Sequence, residues 1–239
     1  SASSTAGIST ISQTLTNISN TAQTITYTVT PTSGDTGNCV GSTFTITVVV
    51  SPKPAVLSTT RTICSGTAFS VTPANGSGNI VPSGTTYTWT TPVSNPLGAI
   101  TGGTAQATGV ATISQTLTNT TTAPATLEYT VTPTSGSCAG TPFTIIVTVN
   151  PTPTTLGLTN QTYCNAVPTT EIVLTNGVAG TTYTWTNSNT AIGLAASGTG
   201  NIPVFTPTNS GTAPITATIS IIATANGCSR VAETYIITV

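Results

Sequence analysis

Five cysteines, Cys39, Cys64, Cys138, Cys164 and Cys228, are the side chains best equipped for covalent chemistry in this chain. None stands in a Cys-x-x-Cys pair, so thiolate-metal and thioredoxin-like readings have no spacing to rest on. Singly placed cysteines in a threonine-rich, lysine-poor chain predict disulfides made in an oxidising, extracellular compartment. Other chemistry is scarce. The chain has no histidine, which removes Ser-His-Asp and Cys-His catalysis and any imidazole-bound zinc. The acids Asp35, Glu128, Glu171 and Glu233 are far apart and offer neither a general acid–base pair nor a calcium cage. Lys53, Arg61 and Arg230 are too few to track a phosphate backbone. The expectation is no catalytic residue, no cofactor, no metal and no nucleic-acid partner.

Two aromatic pairs could bind a ligand. Tyr87 with Trp89, and Tyr183 with Trp185, fall on one face of their strands in the matching runs Thr85–Thr90 and Thr181–Thr186. Stacking on sugars is one reading. A single mid-strand tryptophan per repeat more often fills a sandwich core, and the core reading is preferred. Gly76–Ser77–Gly78 and Gly102–Gly103 lie in Thr/Ser-rich loops with no strand-to-helix context, so they read as turns rather than phosphate cradles. Asn-x-Ser/Thr sequons occur at Asn17, Asn75, Asn119 and Asn160, but chance supplies them readily in such a chain.

The elements that carry these residues repeat. Gly109–Asn119 restates Gly7–Asn17 almost letter for letter, about a hundred residues later, the length of an immunoglobulin-like module. Ile25–Pro31 with Cys39 and Phe44–Val48 matches Leu127–Pro133 with Cys138 and Phe143–Val147. Ile219–Ala223 with Cys228 and Tyr235–Val239 forms a looser third copy. Apolar residues alternate with threonine in each run, the period of a half-buried antiparallel sheet. Charged residues make up 3% of the chain, against roughly 25% in ordinary globular proteins, while hydrophobic content is 37%. That apolar share with strict alternation argues against a disordered stalk.

The opening half, Thr62–Gly66 and Thr85–Thr90, recurs only at Thr162–Asn165 and Thr181–Thr186, and Pro-x-Pro joins stand at Pro52–Pro54 and Pro151–Pro153. The predicted organisation is all-β: tandem immunoglobulin-like β-sandwich modules. Residues 1–52 form a carboxyl-terminal half module, and 53–152 and 153–239 are complete ones. Either the numbering begins partway through a module or another chain supplies the missing strands; the first is preferred. Ser1–Ala2–Ser3–Ser4–Thr5 is neither basic nor apolar, so no signal peptide is expected. No run nears the roughly 18 apolar residues that cross a bilayer, and no membrane insertion is expected.

Pairing within modules would join Cys64 to Cys138 and Cys164 to Cys228, leaving Cys39 unpaired or inter-module. Each bridge would stabilise its module by about 4 kcal/mol. The rival scheme, Cys39–Cys64 and Cys138–Cys164, staples neighbouring modules and leaves Cys228 over. The first lets each module fold by itself and is preferred; sequence does not fix connectivity.

The ordered motifs Ile63-Cys64-Ser65-Gly66, Tyr87-Thr88-Trp89, Ile113–Asn119, Tyr129–Pro133, Cys138 and Val147–Pro151 resemble the PKD-like and Ig-like repeats of giant Bacteroidota surface proteins. SprB-type gliding adhesins exported by type IX secretion are among them. The resemblance covers essentially the whole chain. It implies a seven- to nine-stranded sandwich, cell-surface display, and a stalk or adhesive role without catalysis. Trp89 and Trp185 lack the Asp-rich, Gly-containing turn that follows tryptophan in the PKD signature. Three functions follow as expectations. The chain is a stalk segment of an adhesin or gliding filament, a subunit of a self-assembling fibre using strand complementation, or a carbohydrate-binding accessory module. Its partners are neighbouring modules of one long chain, other copies in a fibre, and a surface or glycan ligand.

Overall fold

Alternating threonine and β-branched or aromatic residues build an almost purely β chain of tandem immunoglobulin-like sandwich modules. The computed structural model describes residues 7–34 and 39–239; Ser1–Thr5 and Asp35 lie outside the described residues.

In the first unit β1 (Gln23–Val29) pairs antiparallel with β2 (Phe44–Val50), giving a two-stranded sheet. The second unit contains β3 (Thr59–Cys64), β4 (Thr67–Val71), β5 (Thr86–Trp89), β6 (Val93–Asn95), β7 (Ile100–Thr101), β8 (Gln106–Val110), β9 (Ile113–Asn119), β10 (Ala125–Ser135), β11 (Cys138–Ala139) and β12 (Phe143–Asn150). Its main sheet runs β3-β12-β10-β5-β8, with β3 parallel to β12, and packs against the smaller sheet β4-β9-β7. Residues of β10 and β12, among them Leu127, Tyr129, Val131, Ile145 and Val147, are buried with Trp89 of β5 in the same sheet and with Phe69, Ile113 and Leu117 from across the sandwich. Threonines take many of the alternate, more exposed positions on β10 and β12.

The third unit contains β13 (Gln161–Thr162), β14 (Thr182–Asn187), β15 (Ser197–Thr199), β16 (Thr216–Ala225), β17 (Cys228–Ser229) and β18 (Glu233–Thr238), in the sheet order β13-β18-β16-β14-β15. Its opposite layer is a pair of extended segments held by single contacts. Ile172 and Ile202 exchange backbone hydrogen bonds of 3.0 and 3.1 Å, and Thr169 N donates to Phe205 O at 3.0 Å. Pro168, Pro203 and Pro207 remove the donors a continuous ladder needs, which is why no strands form there. The segments still deliver Ile202 and Phe205 to a core with Trp185, Ile219, Tyr235 and Ile237, separate from that of the second unit.

The strand register corrects the repeat alignment. Trp185 pairs with Ile221 as Trp89 pairs with Val131, so Ile219 stands where Tyr129 does, and its partner Tyr235 where Ile145 does. The sequence match of Tyr235 to Phe143 is two residues out. A slip of two keeps every side chain on its face, so alternation alone does not detect it.

The first unit shows what a sequence does without its partners. Ile11–Asn17 and Ile113–Asn119 are identical, yet the second copy is a strand against β4 and the first is not. Among the described residues no counterpart of β4 pairs with the first. Ile25, Tyr27, Val29, Ile46 and Val48 are half-buried there, whereas the equivalent Leu127, Tyr129, Val131, Ile145 and Val147 of the second unit are buried.

Candidate functional site at the module joint

The joint between the second and third units is built by β3, β12, the linker and the closing hairpin of the third unit. Strand β3 runs alongside β12 until Cys64 stands opposite Asn150, and Ser65 N donates to Asn150 O at 2.8 Å. From the other side, β16 turns through Asn226–Gly227 into β17. Both turn residues have positive φ, +50° and +78°, as a tight two-residue hairpin requires. This turn brings Cys228 to Cys64, and the two form a disulfide with Cα atoms 5.6 Å apart.

The pairing overturns both connectivities drawn from the sequence. Cys64 does not pair with Cys138, nor Cys164 with Cys228; Cys138 is half-buried and Cys164 exposed, and neither is in a disulfide. The physical reason lies in the strand directions. The opening cysteine stands at the far pole of its own module, beside the end of the last strand, while the closing-hairpin cysteine stands at the near pole. A bridge therefore spans a joint more readily than a module. Cys39 occupies the closing hairpin of the first unit, where Ser33 N donates to Cys39 O at 3.0 Å.

Polar contacts fix the rest of the joint. Pro151 and Pro153 are buried, Asn150 Nδ2 donates to Asn226 O at 2.8 Å, and Thr152 Oγ1 donates to Ser65 O at 3.4 Å. Arg230 Nη1 donates to Pro153 O at 3.4 Å, and its Nε lies 2.9 Å from Glu233 Oε1. Both Glu233 carboxylate oxygens accept from Leu156 N at 3.1 Å. Two of the chain's few charges thus hold the linker as it enters the third unit.

A recurring asparagine closes each unit, and sequence reasoning missed it. Asn17 Nδ2 donates to Thr21 O and Val50 O, at 2.7 and 2.8 Å. Asn119 Nδ2 donates to Ala123 O and Val149 O, both at 2.8 Å. Asn209 Nδ2 donates to Ala213 O and Val239 O, both at 2.9 Å. Each Oδ1 accepts the backbone N–H two residues on, an Asx turn. The residue after the opening cysteine holds this corner from outside. Ser65 Oγ accepts from Asn119 N at 2.9 Å, and Asn165 Oδ1 accepts from Asn209 N at 2.9 Å. The signal in the sequence was an asparagine recurring in register, hidden because Asn17 and Asn119 also begin sequons.

The aromatic candidates face inward. Tyr87 is 1% exposed, Trp89 6% and Trp185 3%, while Tyr183 is half-buried against the third core. Trp89 Nε1 donates to Thr104 O at 2.9 Å, and its ring meets Tyr129 edge-on at 6.1 Å. Tyr183 OH accepts from Asn176 Nδ2 at 3.0 Å. Trp185 covers Gly198, where any Cβ would run into the indole ring. None of these rings offers a stacking platform, which removes the residues on which sugar binding was to depend. Burial pushes the Tyr129 and Tyr235 phenols well above the usual tyrosine range. Among the described residues no group of His, Cys, Asp or Glu could hold a metal ion. No helix among them is long and apolar enough to cross a membrane.

The family model for the PKD-like domain matches residues 2–54 and 61–153, more than half of the chain. The chain belongs to the PKD-like domain family. Its first match ends within the Pro-x-Pro join, so the first and second units are matched separately as PKD-like sequence. Among solved structures, mouse cadherin-23 EC22-24 is similar over 77% of this chain and 66% of its own length, at 16% identity and a TM-score of 0.31. Protocadherin gamma B2 extracellular cadherin domains 3-6 is similar over 89% and 58%, at 14% identity and a TM-score of 0.34. The chain thus spans less than two thirds of the length of these multidomain structures. No curated protein matches it. In the PKD-like units described here, the features that recur in register are structural: an opening cysteine, a closing-hairpin cysteine and a corner asparagine.

Proposed function

We propose that this chain is a non-catalytic spacer of a large extracellular surface protein, in which stapled PKD-like modules set reach and stiffness. The observation that carries the reading is the Cys64–Cys228 cystine across a joint whose linker is itself hydrogen-bonded. A bridge inside a module would stabilise a bead; a bridge between modules restricts the angle between beads. The motif resemblance to Bacteroidota gliding adhesins supports placing such a spacer in the stalk of a type IX-secreted adhesin or gliding filament on the cell surface. Small-angle scattering and electron microscopy of the oxidised and reduced chain test this. The oxidised chain should show one narrow inter-module angle, broadened by reduction; equal distributions in the two states refute the proposal.

A second reading, a fibre subunit that exchanges strands, is favoured by one observation. The hairpin β1–β2 presents an uncovered apolar face, with Phe44 48% exposed. Polymers growing with concentration in electron micrographs would support it against the spacer.

A further inference from the structure

The joint has a rule that extends beyond the one bridge formed. Cys64 belongs to the opening half of one unit and Cys228 to the closing hairpin of the next. Cys138 stands where Cys228 does: Ser135 pairs with Cys138 as Ala225 pairs with Cys228, each across a two-residue turn. Gly140 N donates to Pro133 O as Arg230 N donates to Ala223 O. The hairpin of Cys138 also reaches back to the preceding linker, since a Cβ on Gly140 would strike Pro54 O, as Arg230 reaches Pro153 O. Cys164 stands where Cys64 does, because Thr162 pairs with Thr238 as Thr62 pairs with Thr148.

A second observation points to what Cys138 awaits. The first unit keeps the internal bonds of a complete one: Tyr27 OH donates to Gln13 Oε1 at 2.8 Å, as Tyr129 OH does to Gln115 Oε1 at 2.8 Å. Among the described residues no strand takes the places that β3 to β8 fill in the second unit. The result is an open groove of about 440 Å³, lined by Leu15, Asn17, Ile18, Gln23, Ile25 and Val50. Closing it would take these apolar side chains out of water.

We infer that residues 7–50 are completed by the opening half of a PKD-like module, a segment with the chemistry of residues 53–108, whose cysteine forms a disulfide with Cys138. A strand in the place of β3 runs parallel to β2 and ends with its cysteine opposite Ser51, as Cys64 stands opposite Asn150. Its cysteine then faces the closing hairpin of the second unit, and the hydroxyl after it reaches Asn17 N as Ser65 reaches Asn119 N. A strand in the place of β5 sets the tryptophan of its Tyr-x-Trp pair beside Val29 and the tyrosine beside Pro31, as Trp89 and Tyr87 stand to Val131 and Pro133. Bond formation is thiol–disulfide exchange. The two cysteines lose two protons and two electrons, and a small-molecule disulfide is reduced to two thiols. Cys164 presents the complementary half of such a joint. The inference rests on the modular reading of the repeats and not on the mechanical one.

The test places a copy of residues 53–108 directly ahead of Gly7 in the otherwise complete chain, refolded in a glutathione redox buffer. Non-reducing peptide mapping should find the copied cysteine joined to Cys138, beside an unchanged Cys64–Cys228 bridge. Amide exchange in residues 23–50 should slow at least tenfold. A second version with the copied cysteine changed to serine should keep the slowed exchange while Cys138 reacts with iodoacetamide. Pairing of the copied cysteine with Cys39, or a Cys138 that stays alkylatable in the first version, overturns the bridge. Unslowed exchange in both versions, a misfolded fusion included, overturns the completion. Either failure leaves the reduction-sensitive angle at the Cys64–Cys228 joint standing, so it is distinguishable from failure of the spacer.

Discussion

Changing Cys228 to serine should destabilise the third unit by several kcal/mol while leaving its strands intact. With the second unit folded, unfolding of the third frees the chain from the linker to Cys228, and the disulfide closes that segment into a loop of ~75 residues. The chain-entropy relation gives about 4.5 kcal/mol for such a loop. A module of this size shifts its melting temperature by ~4–8 °C per kcal/mol, so the third unit should melt roughly 15 °C or more lower. Differential scanning calorimetry of oxidised wild type, C228S and the wild type in reductant reads this directly, with circular dichroism to confirm strand content. Cys138→Ser and Cys164→Ser are the controls and should leave the melt unchanged, since neither residue is in a disulfide. A fall under ~5 °C in C228S, or an equal fall in Cys138→Ser, would refute the reasoning.

Asn119→Ala should cost about 2–4 kcal/mol in urea unfolding, because it strips two backbone carbonyls, Ala123 O and Val149 O, of their side-chain donor. Asn209→Ala should do the same in the third unit, and a loss under ~0.5 kcal/mol at both sites would deny the corner its role. Gly198→Ala should cost ~1–3 kcal/mol and shift the Trp185 fluorescence, because its Cβ enters the space of the indole. In alkali, the folded phenols of Tyr129 and Tyr235 titrate above the unfolded value of about 10, so the neutral form is the one the fold favours. Stability from each should be complete below pH ~10 and fall by ~1.4 kcal/mol per pH unit above it, as followed by unfolding curves and phenolate absorbance.

Much of the architecture was legible because the alternation of threonine with apolar residues dictates faces directly. The burial of Trp89 and Trp185 follows from their place on those faces. Three things were not legible. The disulfide escaped because connectivity depends on which pole of a module each cysteine reaches, a property of strand direction that spacing does not encode. The two-residue slip of Tyr235 escaped because a period of two is blind to even shifts. The corner asparagines escaped because their sequon context supplied a more familiar explanation. Ile11–Asn17 makes the general point: seven residues matching a strand elsewhere form none here, since a strand is settled by its neighbours as much as by its own propensity.

The position of the Cys64–Cys228 bond decides how a pull on the two ends would travel. Tension entering from the first unit reaches Cys64, crosses the sulfur atoms and leaves through the last strand. The intervening polypeptide, a separation of 164 residues, is bypassed. That stretch, worth roughly 550 Å of fully drawn-out backbone, cannot lengthen the molecule while the bond is intact. Thiol reduction would release it, turning a taut tether into an extensible one.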